Sequence, residues 1–315
     1  MSSKRSRVHP KYKTKYRVTN WPEYDRSLVR RGDVTLWLSP TAAASWNAKP
    51  SGRRGGQPKY SDLAIETALT LRLVFHLPLR QTEGFLGSIF EIMGIDLESP
   101  DHTTLSRRGR QLDVPLRSLT LAEPIHLIVD SSGLAIFGEG EWAAVKHGGR
   151  GIQGWRKLHL GVDDAGVIVA QLLTDSNLDD ATAGVDLIGQ VKGSIATVIA
   201  DAAYDTRPFY NAGSDRGARV VVPPTKRATV TRQRCPARDK TVRRTNKIGR
   251  RRWKKESRYH RQARVENAFF RYKSIVGDRL RSRGQRAQAV EARLACTALN
   301  RMTEIGAPTS IAIGS

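Results

Sequence analysis

Acidic residues are in short supply in this 315-residue chain: 30 Asp and Glu stand against 53 Lys and Arg, a formal net charge of +23. A fold that repels itself this strongly calls for a polyanionic partner, and counterion release from phosphates makes nucleic acid the leading one. Cysteine is nearly absent. Cys235 and Cys296 stand alone without a CxxC, which excludes a disulfide framework and a zinc knuckle and leaves two plain thiols in a reducing compartment. No apolar run approaches the roughly 20 residues needed to cross a bilayer, so no membrane role is expected. The opening "MSSKRSRVHPKYKTKYRVTN" is basic but has no apolar core, so it does not read as a secretory signal. A cytoplasmic protein is expected.

What is present is a full-sized apolar fraction, 39% of residues, in a chain long enough for about two domains. The positive charge is concentrated. Residues 225–264 hold 17 Lys or Arg against only Asp239 and Glu256, a net of +15. This block is internal and runs straight into a helical stretch, which sets it apart from a solubilising tail.

Pro22 opens a short helix through "PEYDRSLVRRG" that Gly32 ends. Residues 39–60, rich in Pro, Gly and Ser, read as a linker. From an N-cap at Ser61, the residues Ile65, Ala68, Leu69 and Leu73 recur at helical spacing until Pro78. A second amphipathic helix presents Phe85, Leu86, Ile89, Phe90 and Met93 and stops at Gly94. In "SPDHTTLSRRGRQL" a third has a polar face of Thr103, Thr104, Ser106, Arg107, Arg108 and Arg110, anchored by Leu105 and Leu112. This series fits a helix-turn-helix with Arg107, Arg108 and Arg110 on DNA. A three-helix packing module with a solvated basic face fits it equally well.

After about residue 120 the pattern becomes strand-like in "IHLIVDSSGLAIF", "WRKLHLGVDDAGVIVAQLLTD", "ATVIADAAYD" and "ARVVVPP". "DDAG" between two apolar runs predicts an antiparallel hairpin. "DDATAGVDLIGQVK" and "TRPFYNAGSDRG" predict helices between strands. The result is a mixed sheet with helices on its faces, an α/β (mixed) class. Helices at 259–276 and 286–304 close the chain, the second with Val290, Leu294, Ala298 and Met302 at i, i+4 spacing.

Asp130 and Asp201 are each expected to terminate an apolar strand, and each is followed by small residues that leave room for a bulky ligand. A lone Asp after a strand is usually a turn former or cap, so the argument needs a third acid. Glu266 is the only carboxylate between Glu256 and Asp278. With Tyr259 and Lys273 seven residues to either side, it would share one line of a helix, while Val265, Phe269, Tyr272 and Val276 form an apolar stripe that docks the helix on the sheet. The plain alternative is that Glu266 only pairs with nearby arginines.

"VDSSG", "IADAAYDT", "YHRQARVENAFFRYK", "FGEGEWAAVKHG" and "WRKLHLGVD" together resemble the DDE transposases of bacterial insertion sequences, in particular the insertion-sequence-five branch. The resemblance implies a ribonuclease H-like core with Asp130, Asp201 and Glu266 as catalytic acids. They would hold two Mg²⁺ or Mn²⁺ ions for phosphoryl transfer at DNA ends. It also implies that Tyr259 and Lys273 match a Tyr, Arg, Glu, Lys signature whose Arg place is taken by Gln262, with Arg261 and Arg264 as possible substitutes at the phosphate. The implied organisation is an N-terminal all-α, helix-turn-helix-like DNA-binding region over 1–120, a catalytic domain over 121–305, and a tail over 306–315. The implied partners are double-stranded DNA, as terminal inverted repeats and target, and further copies of the chain in a homodimer or higher assembly. A catalytically inactive, transposase-derived DNA-binding protein is the alternative. Asp163, Asp164, Asp179 and Asp180 read as turn and cap residues, His147 and His159 as structural or surface groups, and Trp142 and Trp155 as core.

Overall fold

The computed structural model describes residues 15–50, 52, 54–116, 123–136, 154–231 and 234–313. Trp142, His147 and the surrounding "FGEGEWAAVKHG" motif lie outside the described residues, as does the expected domain boundary near 120. Among the described residues, no helix is long and apolar enough to cross a membrane.

Strand β1 (Lys15–Val18) precedes helices α1 (Trp21–Arg30), α2 (Val34–Trp37) and α3 (Pro40–Ala44). Three helices follow: α4 (Asp62–Val74), α5 (Leu79–Ile92) and α6 (His102–Arg108). Ser61 caps α4 as expected, its hydroxyl accepting from the Ala64 N–H. Asp101 caps α6 through the N–H groups of Thr103 and Thr104. Leu105 and Leu112 are buried anchors. Gly109 lets α6 come close: a Cβ there would lie 2.9 Å from Leu69 Cδ1. Two expectations fail here. Met93 falls beyond α5 and is 47% exposed, because the helix ends where Gly94 turns the backbone to φ +61°. The stretch 39–60 is more than a linker. It contains α3, and fully buried Trp46 donates from its indole N–H to the Glu98 carbonyl at 2.8 Å.

The main sheet runs β4-β3-β2-β5-β6, with β7 pairing β2 off this path. Its strands are β2 (Ile125–Ile136), β3 (Trp155–Val162), β4 (Ile168–Asp175), β5 (Ile195–Ile199), β6 (Arg219–Val221) and β7 (Arg279–Leu280). β3 and β4 form the expected antiparallel hairpin, closed by Asp163, whose carboxylate accepts from the Val167 N–H. The β2–β5 and β5–β6 pairs are parallel; one helix on the sheet face leads from β4 into β5 and another from β5 into β6. Those helices are α7 (Asp180–Gln190) and α8 (Arg207–Asp215), both where "DDATAGVDLIGQVK" and "TRPFYNAGSDRG" predict them. The basic block forms α9 (Pro236–Ile248) and α10 (Arg250–Glu256). The chain closes with α11 (Ala263–Ile275), α12 (Gln285–Ile305) and β8 (Ser310–Ile313). The tail at 306–315 is thus partly strand, since β8 pairs antiparallel with β1.

Alternation along the strands sends side chains to two cores. Leu127, Val129, Val198 and Ala200 face α7 and α8. Ile128, Leu134, Leu158, Leu160 and Ile199 face α11 and α12, in an apolar cluster that also takes in Ile65, Leu71, Leu86 and Phe90 of the N-terminal helices. On α12 the Asn300 side chain clamps β4, accepting from the Ile168 N–H and donating to its carbonyl, each at 2.8 Å. Cys235 and Cys296 are both free and buried.

Candidate active site

The two strand neighbours of β2 do not cover it evenly. β3 pairs along Ile128–Ala135, whereas β5 stops at Ile128 and β7 begins only at Ala135. A notch is left on that edge from Val129 to Leu134. Asp130 lies in this notch, in the middle of a 12-residue strand, so the expectation that it ends a strand is wrong. Its run of small residues stays in the strand because β3 continues to pair with it. Only the β5 partner has ended.

Asp201 lies two residues beyond Ile199, the last residue of β5. The parallel register sets Ile128 against Ile199. Two residues beyond the end of this ladder, Asp201 lies on the β5 side of β2 near Asp130, whose carboxyl feels its charge. Alternation directs both onto the face of Ile128 and Ile199, the one covered by α11. Asp201 Oδ1 accepts from the Ala203 N–H at 2.8 Å, capping a 3-10 turn at Ala202–Tyr204. Asp130 Oδ1 accepts from the Ser131 N–H at 2.8 Å.

Glu266 stands exposed in the first turn of α11. As expected, Val265, Phe269, Tyr272 and Val276 are buried and dock this segment on the sheet. The expected single line of Tyr259, Glu266 and Lys273 is broken, however. Tyr259 belongs to a separate 3-10 turn, Tyr259–Gln262, entered through Arg258 at φ +59°, a left-handed conformation uncommon for a side-chain-bearing residue. The Tyr259 ring instead rests against Trp253, with Lys254 Nζ 4.6 Å from its centroid.

What holds this turn in the notch is the residue that departs from the family signature. Gln262 is 5% exposed, and its Nε2 donates to the Val129 carbonyl at 3.1 Å. That carbonyl sits one residue beyond the β2–β5 ladder. Gln262 therefore ties the strand of Asp130 to the segment of Glu266. An arginine there would have to bury a charge.

Asp130 lies within electrostatic reach of the other two acids. Burial pushes the Asp130 carboxyl up to about 6, and the fields of Asp201, Glu266 and Asp180 push in the same direction. Asp180, expected as a simple cap, lies in the first turn of α7 with Lys157 Nζ 3.2 Å away. Asp179 is the true cap, accepting from the Thr182 N–H. His159 is fully buried, its Nε2 2.9 Å from Thr174 Oγ1, and burial draws its pKa down to about 4. Trp155 is 43% exposed, not the core residue expected, because β3 begins at the open end of the sheet.

The donor set fits a hard divalent cation: three carboxylates, with Oδ2 of Asp130 and of Asp201 taking no hydrogen bond from the described residues. Among the described residues, no group of three or more His, Cys, Asp or Glu side chains already encloses a metal position.

The basic block is fixed to the same site. Four residues after Asp201, Asp205 accepts a two-point ion pair from Arg238 of α9, at 2.7 and 3.0 Å, and also accepts from the Thr225 N–H. Arg261 makes an ion pair with Asp164 at 3.4 Å, while Arg264 and Lys273 are exposed. On α6, Arg108 turns back to Asp62 at 2.6 Å and to the Tyr60 carbonyl at 3.0 Å, leaving Arg107 and Arg110 exposed. The sequence carried no local signal for the Gln262, Asp180 or Asp205–Arg238 contacts. Each joins residues distant in the chain.

Comparison with protein families returns the description "Transposase DDE domain" twice, for residues 29–139 and for residues 121–301. The second match spans more than half of the chain and contains Asp130, Asp201 and Glu266.

Proposed function

From the premise that this chain belongs to the DDE transposase family, we propose that it binds the terminal inverted repeats of its own insertion sequence, cleaves the DNA ends and joins them to target DNA. Asp130, Asp201 and Glu266 are the acids we assign to catalysis. The observation that carries the assignment is the notch, where the end of β5 brings Asp201 beside Asp130 and Gln262 draws the Glu266 segment against the same strand.

The three carboxylates would hold Mg²⁺ or Mn²⁺, two ions by the chemistry of this class, and the metal supplies charge stabilisation and activation of the attacking oxygen. The protein's own residues do the positioning. The Ser131 and Ala203 N–H groups each fix one oxygen of the paired aspartates, aiming the other into the notch. Tyr259, Arg261, Arg264 and Lys273 flank the acids and would guide the phosphate backbone. The helices carrying Arg107, Arg108 and Arg110, within region 1–120, would contribute to DNA recognition ahead of the catalytic region 121–305. Arg108 serves there mainly by holding α6 on α4. Joining two ends calls for a dimer or higher assembly, working in the cytoplasm on chromosomal DNA, and the motif pattern favours the insertion-sequence-five branch.

The test is to incubate the full chain with DNA carrying the flanks of its gene in Mg²⁺ or Mn²⁺, comparing wild type with Glu266→Gln. Metal-dependent nicks at defined ends and joined products, both lost in the variant, are expected. Tight binding with no cleavage by either protein would instead mark a DNA-binding relic.

A further inference from the structure

Away from the acids, a cleft of about 260 Å³ opens between α4, α6 and the loop that leads into α12. Arg72 on α4 lies in its wall. This side chain is only 9% exposed, yet its buried Nε has no hydrogen-bond partner. Arg110, Arg281 and Arg283 line the same cleft, with Ser106 and Ser282 between them. Four arginines thus line a space with one carboxylate, Glu291. Both oxygens of Glu291 already accept from backbone, Oε1 from the Arg281 N–H and Oε2 from the Ser282 N–H, each at 2.8 Å. Arg281 is braced by His76 Nδ1 at 2.9 Å, whereas Arg110 and Arg283 are exposed. Arg80, Arg107 and Arg286 extend the basic surface at the mouth.

A buried arginine with an unpaired donor is costly unless an anion completes it, and the nearest compensating charge, Glu291, already has both oxygens taken by backbone N–H groups. The neighbouring exposed arginines supply the fork geometry that favours phosphate. We propose that this cleft seats a backbone phosphate of duplex DNA on Arg72, closed in by Arg110 and Arg283. Its place in the fold suits a substrate that also reaches the acids. Arg281 follows Leu280 of β7, which pairs with Ile136 of β2, and Asp130 lies six residues before Ile136 on that strand, about 20 Å away at ~3.3 Å per residue. That is roughly half a turn of duplex. Only the identity of the ligand rests on the transposase reading above.

The experiment measures binding of a labelled duplex carrying the element end to the full chain, in EDTA, over a range of salt. Wild type is compared with Arg72→Gln and with Arg110→Gln/Arg283→Gln. The double variant alters only exposed side chains, so it tests the cleft even if Arg72→Gln fails to fold. Affinity should fall roughly tenfold in the double variant, and its slope of log K against log salt should flatten by about 1.8, two contacts at ~0.9 each. Unchanged affinity and slope, with wild type binding normally, would overturn the cleft alone. Failure of wild type to bind duplex at any salt would overturn the DNA reading with it. A parallel melt compares inorganic phosphate with chloride at matched ionic strength. A phosphate-specific rise lost in the double variant, with the DNA slope intact, would assign the cleft to a free anion and reject the proposal.

Discussion

Asp201 and Asp205 are four residues apart in one motif, "DAAYD", yet their surroundings are opposite. Asp205 is buried, with its side chain 0% exposed, and both oxygens are taken by Arg238 and the Thr225 N–H. Asp201 is partly exposed, with one oxygen fixed by backbone and its charge felt at Asp130. One aspartate is neutralised and locks the basic helices to the sheet. The other is left beside like charge, which a proton on Asp130 or a bound cation would relieve. The difference separates what stabilises this fold from what the fold is organised to do.

Breaking the functional half of this comparison should produce the largest effect. Asp201→Asn keeps the cap on Ala203, so folding and duplex affinity should hold within about twofold. End cleavage should fall by at least ~10³-fold, the scale expected when charge stabilisation at the reacting centre is removed. A cleavage assay beside a binding titration reads both, and a variant that cleaves at the wild-type rate would remove Asp201 from the chemistry.

The structural half should break by a different readout. Arg238→Ala leaves the Asp205 carboxylate buried without its partner, a loss of about 3–5 kcal/mol. Urea unfolding checks it; a midpoint equal to wild type would mean that the pair contributes nothing.

The notch should also reveal itself through pH. The folded-state value of about 6 for Asp130 lies above the ~3.9 of a free aspartate. Between those values the folded protein keeps a proton that the unfolded chain has released. The Asp130 contribution to stability therefore falls as pH rises from about 4 to 6, while buried His159, drawn down to about 4, contributes in the opposite direction in both wild type and an Asp130 variant. Asp130→Asn, which keeps the acceptor for Ser131, should be more stable by about 1–2 kcal/mol above pH 6 and indistinguishable below pH 4. Added Mg²⁺ should raise the melting temperature of wild type more than that of the variant. A lower melting temperature for Asp130→Asn at pH 8 would contradict the like-charge account.

The smallest effect sharpens the comparison within the basic block. Arg244 and Glu256 make a two-point pair at 2.9 and 2.7 Å, similar in form to Arg238–Asp205, but both side chains are over two-fifths exposed. Arg244→Ala should leave the melting temperature unchanged within error, since water and salt screen such pairs. A drop as large as that of Arg238→Ala would show that geometry matters more than burial.

The helices and strands were legible where one segment carries its own reasons. The Ser61 cap, the "DDAG" turn and the stripe of Val265, Phe269, Tyr272 and Val276 all act within a few residues. The acids themselves could be picked out as isolated carboxylates among apolar or basic neighbours. Asp130 looks like a strand end in sequence because an apolar run stops there, although pairing with β3 carries the strand to Ala135 and pairing with β7 to Ile136. Tyr259 was drawn onto the helix of Glu266 because heptad spacing says nothing about the left-handed Arg258 between α10 and that turn.

The sequence alone determined the alternation of helices and strands, the identity of three candidate acids and the concentration of charge at 225–264. Periodicity, capping and composition act along the chain and need no partner. Only the tertiary structure decided that β5 ends beside the middle of β2, that Gln262 plugs the carbonyl left open there, and that Arg72 is buried among arginines from both ends of the chain. Those facts depend on strand pairing and on contacts between residues far apart in the chain, 71 positions for Ile128 and Ile199 and 133 for Val129 and Gln262. A local window of sequence carries no information about either.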